Sequence, residues 1–148
     1  MKRPCGVIAL LTDFGTADPY VASMKGVLLD ICGSSTIVDI THEVPPFDVE
    51  YGSFVLLSSY RYFPPGTVFV AVVDPGVGGP RRPIAIASSN YYFVGPDNGL
   101  LVPAAQGDGL ELAVVLDRSE LYRKPTSYSF HGRDIFAPIA ARLACGQE

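Results

Sequence analysis

Short apolar runs alternate along this chain with segments of helical spacing, and this pattern restricts the possible folds more than any other feature. GVIALLT (Gly6 to Thr12) is continuously apolar, as a strand covered on both faces would be. Asp18-Pro19 then opens a predicted helix, Asp suiting the N-cap and Pro the first turn. Val21, Met24, Leu28 and Ile31 follow at helical spacing, and Gly33 ends it. TIVDI (Thr36 to Ile40) is a second strand, and Pro45-Pro46 marks a loop. Glu50 to Tyr62 reads as a helix with Phe54, Val55 and Ser58 on one face. Pro64-Pro65-Gly66 is a turn, and Thr67 to Val73 is the third strand.

The second half continues less regularly. Pro83 to Ser89 and Tyr91 to Gly95 flank the single turn residue Asn90, which predicts a hairpin. Asn98 to Ala105 reads as a short helix and Leu110 to Leu116 as a strand. In His131 to Cys145, an apolar stripe of Ile135, Phe136, Ile139, Ala140 and Leu143 predicts a final helix. Pro138 is tolerable only near that helix's start. Strands alternating with helices imply an α/β fold, a three-layer sandwich whose central sheet is largely parallel. At 148 residues, 48% of them apolar, the chain suffices for one domain with a genuine core.

Ligands of such sheets gather at the carboxyl ends of the strands. That rule selects the stretch from Thr12 to Gly15, the region of Asp39, and Asp74 to Gly79. In LLTDFGTADPY, Asp13 ends a strand; a carboxylate there either binds loop amides or grips both hydroxyls of a ribose. Asp18 either caps its helix or adds a second acceptor for the same small ligand. In DPGVGGPRR, the glycines can turn the backbone so that Arg81 points back at Asp74. The pair either stitches a tight loop or keeps an ionised carboxylate aimed. No GK[ST] follows, so this is not a phosphate-binding loop. His131, in SFHGRDIFAP, is a candidate proton handler before a helix, whereas His42 reads equally as a loop residue without a role.

Other function classes are disfavoured. A net charge of −4 without basic runs argues against nucleic acid. Two histidines and scattered cysteines argue against a metal site. Cys5, Cys32 and Cys145 are far apart and odd in number, and are expected to be free thiols in a reducing compartment. There is no signal-peptide pattern and no apolar stretch of the ~20 residues a membrane helix needs. A soluble cytoplasmic protein is therefore expected, with no membrane partner.

The stretches LLTDFGTADPYVASMKG, IVDITHEVPPFDVEYG, FPPGTVFVAVVDPGVGGPRRPI, YYFVGPDNGLL and FHGRDIFAP, in this order, resemble the S-adenosylmethionine hydroxide adenosyltransferase family, relatives of the bacterial fluorinase and chlorinase. The resemblance implies attack of water on the 5′ carbon of S-adenosylmethionine, giving adenosine and methionine, with no cofactor. It places the water-activating Asp, Arg and His on Asp74, Arg81 and His131, leaving open whether Asp74 or His131 takes the proton. It also implies that Asp13 binds the ribose hydroxyls and Asp18 the methionine amine. Phe47 and Phe130 would wall the pocket, and Asn98 falls in the matching PDNGLL block.

The halogenases keep hydroxyl-bearing residues where a halide sits; the corresponding places here are Val77 and Gly132, and the fluorinase tyrosine is replaced by Asp74. Hydrolysis is thus expected over halogenation. Family members carry a second, β-rich domain and build the site between subunits of a trimer, with most adenine contacts in that second domain. Residues 1–148 are accordingly expected to be the N-terminal catalytic domain of a homotrimeric hydrolase. The alternative is a non-catalytic adenosine-binding or assembly module.

Overall fold

The computed structural model describes residues 1–147. Its centre is a six-stranded sheet of β1 (Val7–Thr12), β2 (Thr36–Thr41), β3 (Val68–Val72), β4 (Pro83–Ser88), β5 (Tyr92–Pro96) and β6 (Leu110–Val115), in the order β2-β1-β3-β5-β4-β6. β1 pairs in parallel with β2 and β3, and β3 with β5. β4 is antiparallel to both its neighbours, so it alone opposes the common direction. Helices α1 (Tyr20–Ile31) and α4 (Ala137–Ala144) cover one face of the sheet. Helices α2 (Val49–Ser59) and α3 (Val102–Gly107) cover the other. This is the expected three-layer α/β sandwich.

Burial explains which runs became central strands. All five residues of β3 are buried, contributing alternately to the two cores. Phe69 on β3 stacks on its register partner Phe93 on β5, with ring centroids 5.2 Å apart. β2 lies at the edge, with Ile37 reaching one core and Ile40 the other. β6, the opposite edge, is exposed along its whole length.

Several local expectations are corrected. No side chain caps α1: the helix begins at Tyr20 with Pro19 as N-cap, so Asp18 sits one residue too early to reach its amides. α2 is instead capped by Asp48, which accepts from the Tyr51 N–H at 3.0 Å. Its inward face is Gly52, Ser53 and Leu56, while Phe54 and Ser58 are exposed. Gly52 sets this rotation, because a Cβ there would come within 3.0 Å of Leu100 and 3.1 Å of Val73. Three residues, Tyr60–Tyr62, continue α2 as a tighter 3₁₀ turn. Pro138 lies in the first turn of α4, as its missing N–H requires, after a wide π turn over Gly132–Phe136.

The free-thiol expectation fails for two of the three cysteines. Cys32 and Cys145 form a disulfide, and Cys5 alone is free. Each bonded cysteine ends a helix, α1 and α4. Those helices pack side by side on the same face, bringing residues 113 positions apart to a Cα separation of 5.9 Å. Nothing in the local sequence around either cysteine carries that proximity.

Candidate active site

The strand order dictates where a site can form. The chain leaves β1 toward β2 on one side, then crosses back to place β3 on the other. The loops after β1 and β3 therefore diverge and leave a crevice between them, the usual binding position in open α/β sheets. A cavity of about 290 Å³ opens there. Asp13 and Phe14 line it from the β1 end, and Val72 and Asp74 from the β3 end. The segment before the π turn adds Phe130, His131 and Gly132.

Asp13 Oδ2 accepts the Phe47 N–H at 2.7 Å. Oδ1 makes no protein hydrogen bond among the described residues, so half of this carboxylate remains available to a ligand. Phe47 has φ +63°, in the left-handed region, which costs a non-glycine residue about 1–2 kcal/mol. The Asp13 bond helps hold it there, with the residue 63% exposed at the cavity rim.

Asp74, Arg81 and His131 form one connected cluster. Arg81 Nε donates to Asp74 Oδ1 at 3.0 Å and to Oδ2 at 3.1 Å, and Nη2 also donates to Oδ2. The same Nη2 lies 2.8 Å from His131 Nδ1. An arginine can only donate, so Nδ1 accepts, and the neutral ring carries its proton on Nε2. Both partners of the ion pair are nearly buried, with side chains 10% and 5% exposed. Arg81 also lies over the Phe136 ring, 5.5 Å from its centroid. Burial, and then the Arg81 charge, hold the His131 pKa below its ordinary 6.5, against smaller opposing effects of Asp74, Asp134 and Ser127. This imidazole is neutral at pH 7.

Neighbouring groups fix the cluster. The Asn98 amide donates to the Val73 carbonyl at 2.9 Å while its oxygen accepts from Leu100, bracing the backbone beside Asp74. Asn98 does not line the cavity, so its role here is support. Gly78, at φ +77°, packs where a Cβ would strike the Tyr128 carbonyl, joining the two loops that carry Asp74 and His131. Asp134, fully buried, accepts from Arg133 at 2.7 and 2.9 Å and from the Ser127 N–H at 2.7 Å. Burial raises its pKa, but these donors outweigh burial and the net shift is downward. Arg133 in turn covers the Phe130 ring at 4.8 Å.

The sequence-selected residues thus divide. Asp13, Phe47, Asp74, Phe130 and His131 line one cavity, with Arg81 behind Asp74. Asp18 is exposed on the loop before α1 and does not line it. Tyr20 was missed: it lines the cavity and meets Phe14 and Phe130 edge-on at 6.2 and 5.4 Å, continuing the aromatic wall. Asp134 was also missed, although HGRD at a helix start held the signal in its Arg–Asp pair. Among the described residues no group of three or more His, Cys, Asp or Glu side chains could hold a metal ion.

Fold and site together define a doubly wound α/β domain with a crevice at its switch point, served by an Asp–Arg–His cluster whose ion pair is nearly buried. The chain belongs to the family described as SAM hydroxide adenosyltransferase N-terminal domain, which matches residues 8–148. It is 49% identical over 140 residues to a protein of Salinispora arenicola named (R)-S-adenosyl-L-methionine hydrolase, covering 94% of this chain and 53% of that one. A fluorinase of an Actinoplanes species is 31% identical, covering 95% of this chain and 55% of its own length. The crystal structure of an uncharacterized conserved protein from Thermotoga maritima superposes with a TM-score of 0.92 at 45% identity, covering 95% of this chain and 55% of that one. The chain spans about half the length of the relatives it matches.

Proposed function

We propose that this domain supplies the water-activating half of an S-adenosylmethionine hydrolase site, producing adenosine and L-methionine. The observation that carries the reading is the continuous Asp74–Arg81–His131 hydrogen-bonded cluster at the wall of the switch-point cavity. The sulfonium of the substrate is already a good leaving group, so no acid or cofactor is needed to expel methionine. The barrier lies in the nucleophile, because free water has a pKa near ~15.7. The oxygen of one held water bonds to C5′ as the C5′–S bond breaks, and the bonding pair passes to sulfur and neutralises it. The water loses one proton.

Asp74 is assigned as the acceptor of that proton. His131 Nδ1 is occupied by the Arg81 donor, so the neutral ring offers a proton on Nε2 and not a lone pair. Arg81 holds Asp74 aimed through its Nε and Nη2 donors. Holding the water in line is worth on the order of 7 kcal/mol in favourable cases, and general-base help adds about 10²–10⁴ in rate. Asp13 takes the ribose hydroxyls with its free oxygen; Phe47 and Phe130 flank the sugar. An amine contact for Asp18 requires the substrate's methionine arm to extend past Tyr20 to the loop before α1. Halogenation is disfavoured because Asp74 repels a halide, and Val77 and Gly132 in the cavity wall offer no hydroxyl.

Assembly into a homotrimer belongs to the same reading and is supported by the exposed apolar β6, with Leu110, Leu112, Val114 and Val115 each at least 40% exposed. A cytoplasmic setting follows from the substrate; the Cys32–Cys145 bond argues the other way, and a thiol titration of protein purified under native redox conditions decides it. A second reading, a nucleoside-binding or assembly module without turnover, draws on a cavity at the bottom of the ~300–1,000 Å³ range of ligand pockets. Incubation with S-adenosylmethionine and chromatography of the products separates the two. Adenosine formed by the wild type and lost in Asp74→Ala supports hydrolysis, whereas calorimetric binding of adenosine without turnover supports the module.

A further inference from the structure

A second imidazole, this one buried, lies outside the Asp74–Arg81–His131 cluster. His42 is 4% exposed, yet both ring nitrogens are engaged. Nε2 is 2.7 Å from Asp39 Oδ1, whose other oxygen accepts from Lys25 at 2.7 Å. Nδ1 is 2.8 Å from the Thr12 hydroxyl. Thr12 Oγ1 accepts the Phe14 N–H at 3.2 Å, and the His42 carbonyl accepts the Gly15 N–H at 2.7 Å.

These bonds have a single direction when the ring is neutral. A carboxylate only accepts, so the ring proton sits on Nε2 facing Asp39. Nδ1 then accepts the Thr12 O–H, and the Thr12 oxygen accepts the amide of Phe14. Every polar group in the chain from Asp39 to Phe14 is paired. His42 does not line the cavity, and its only basic nitrogen is taken by Thr12, so it cannot serve the reacting atoms. What the chain holds is the backbone on both sides of Asp13: Thr12 and Phe14 by the hydroxyl, Gly15 by the carbonyl of His42.

We infer that His42, braced by Asp39, is a positioning residue for Asp13: through Thr12 it fixes the loop after β1 so that the free carboxylate oxygen of Asp13 meets a vicinal diol of the ligand. The inference rests on the proposed reading that the ligand carries a ribose. The consequence is selective. A loosened Asp13 loses the contribution of the diol and leaves the Asp74 cluster, on another strand, in place. Loss of one such oriented hydrogen-bond set corresponds to about tenfold in affinity.

The test compares binding of adenosine and 2′,3′-dideoxyadenosine, which lacks the diol, by calorimetry on the folded protein. Wild type prefers adenosine. Thr12→Val, isosteric and suited to a strand, and His42→Ala both reduce that preference about tenfold, mostly by weakening adenosine. Thr12→Ser restores it. In turnover, KM rises more than kcat falls, and the acid limb of the pH–rate profile does not move. A purely structural role for His42 would weaken both nucleosides alike. If Thr12→Val folds and keeps the wild-type preference, the inference is overturned while the hydrolase reading stands. If wild type itself shows no preference for the diol, the ribose reading fails first and the inference with it.

Discussion

Replacing Arg81 by Met removes the cation beside a carboxylate that is 5% exposed and faces the cavity. Met keeps most of the alkyl stem, while the guanidinium's place over the Phe136 ring is lost with the charge. What disappears are three hydrogen bonds to Asp74 and one to His131, made by two donor atoms, Nε and Nη2. Because the two side chains are only 10% and 5% exposed, solvent screening gives little relief. Breaking a buried pair in this way costs about 3–5 kcal/mol, compared with under 1 kcal/mol for an exposed one. In a domain of this size each kcal/mol lowers Tm by about 2–4 °C, so the expected fall is about 6–20 °C. Urea unfolding of wild type, Arg81→Met, Asp74→Asn and the double variant provides the check. The double variant should cost less than the sum of the singles by about 0.5–3 kcal/mol, since it leaves no stranded charge. Strict additivity, with Arg81→Met costing under about 1 kcal/mol, would refute the description of this pair as buried and coupled.

Three further outcomes are expected. Because the His131 pKa is depressed in the folded state and the neutral ring is the working form, activity should hold above its ordinary value of 6.5 and fall only at more acid pH; an acid limb centred above that value contradicts the environment described for it. Asp134 has a lowered folded pKa, so its stabilisation is full above the unfolded value near 3.8 and is lost as pH drops through the folded one; Asp134→Asn should cost about 2–3 kcal/mol at pH 7 and reduce kcat by loosening the His131 loop, as followed by denaturation and turnover. Reducing the Cys32–Cys145 bond frees a loop with a sequence separation of 113, worth up to about 4–5 kcal/mol in the chain-entropy account, and a Cys32→Ser variant that loses nothing in Tm would show that the bond does not form in solution.

The strands were legible because their signal is local. A run such as GVIALLT states its own burial, and once five elements alternate, the carboxyl ends of β1 and β3 are the natural place for a site. Asp13, Asp74 and His131 were legible because each sits where an element ends, beside residues that do nothing for a strand or helix. The Arg81 pairing followed from the glycines that reverse the chain. What remained hidden depends on packing between distant segments. Cys32 and Cys145 meet only because α1 and α4 share a face. Phe54 turned outward because Gly52 alone lets α2 approach the sheet. Asp18 was misassigned as a cap because helix starts shift by a residue or two under tertiary contacts, here those of Tyr20 with Phe14 and Phe130. His42 looked idle because its partners, Thr12 and Asp39, lie on two different strands.

On the proposed hydrolase reading, a carboxylate held by a guanidinium delivers a solvent oxygen to the sugar carbon of a sulfonium nucleoside. Turnover of S-adenosylmethionine in ¹⁸O-water, with mass analysis of both products, tests this most directly. The expected result is adenosine carrying the heavy oxygen at its 5′ position, methionine carrying none, and neither product formed by Asp74→Ala. Unlabelled adenosine, or label recovered in the methionine fragment, would contradict it.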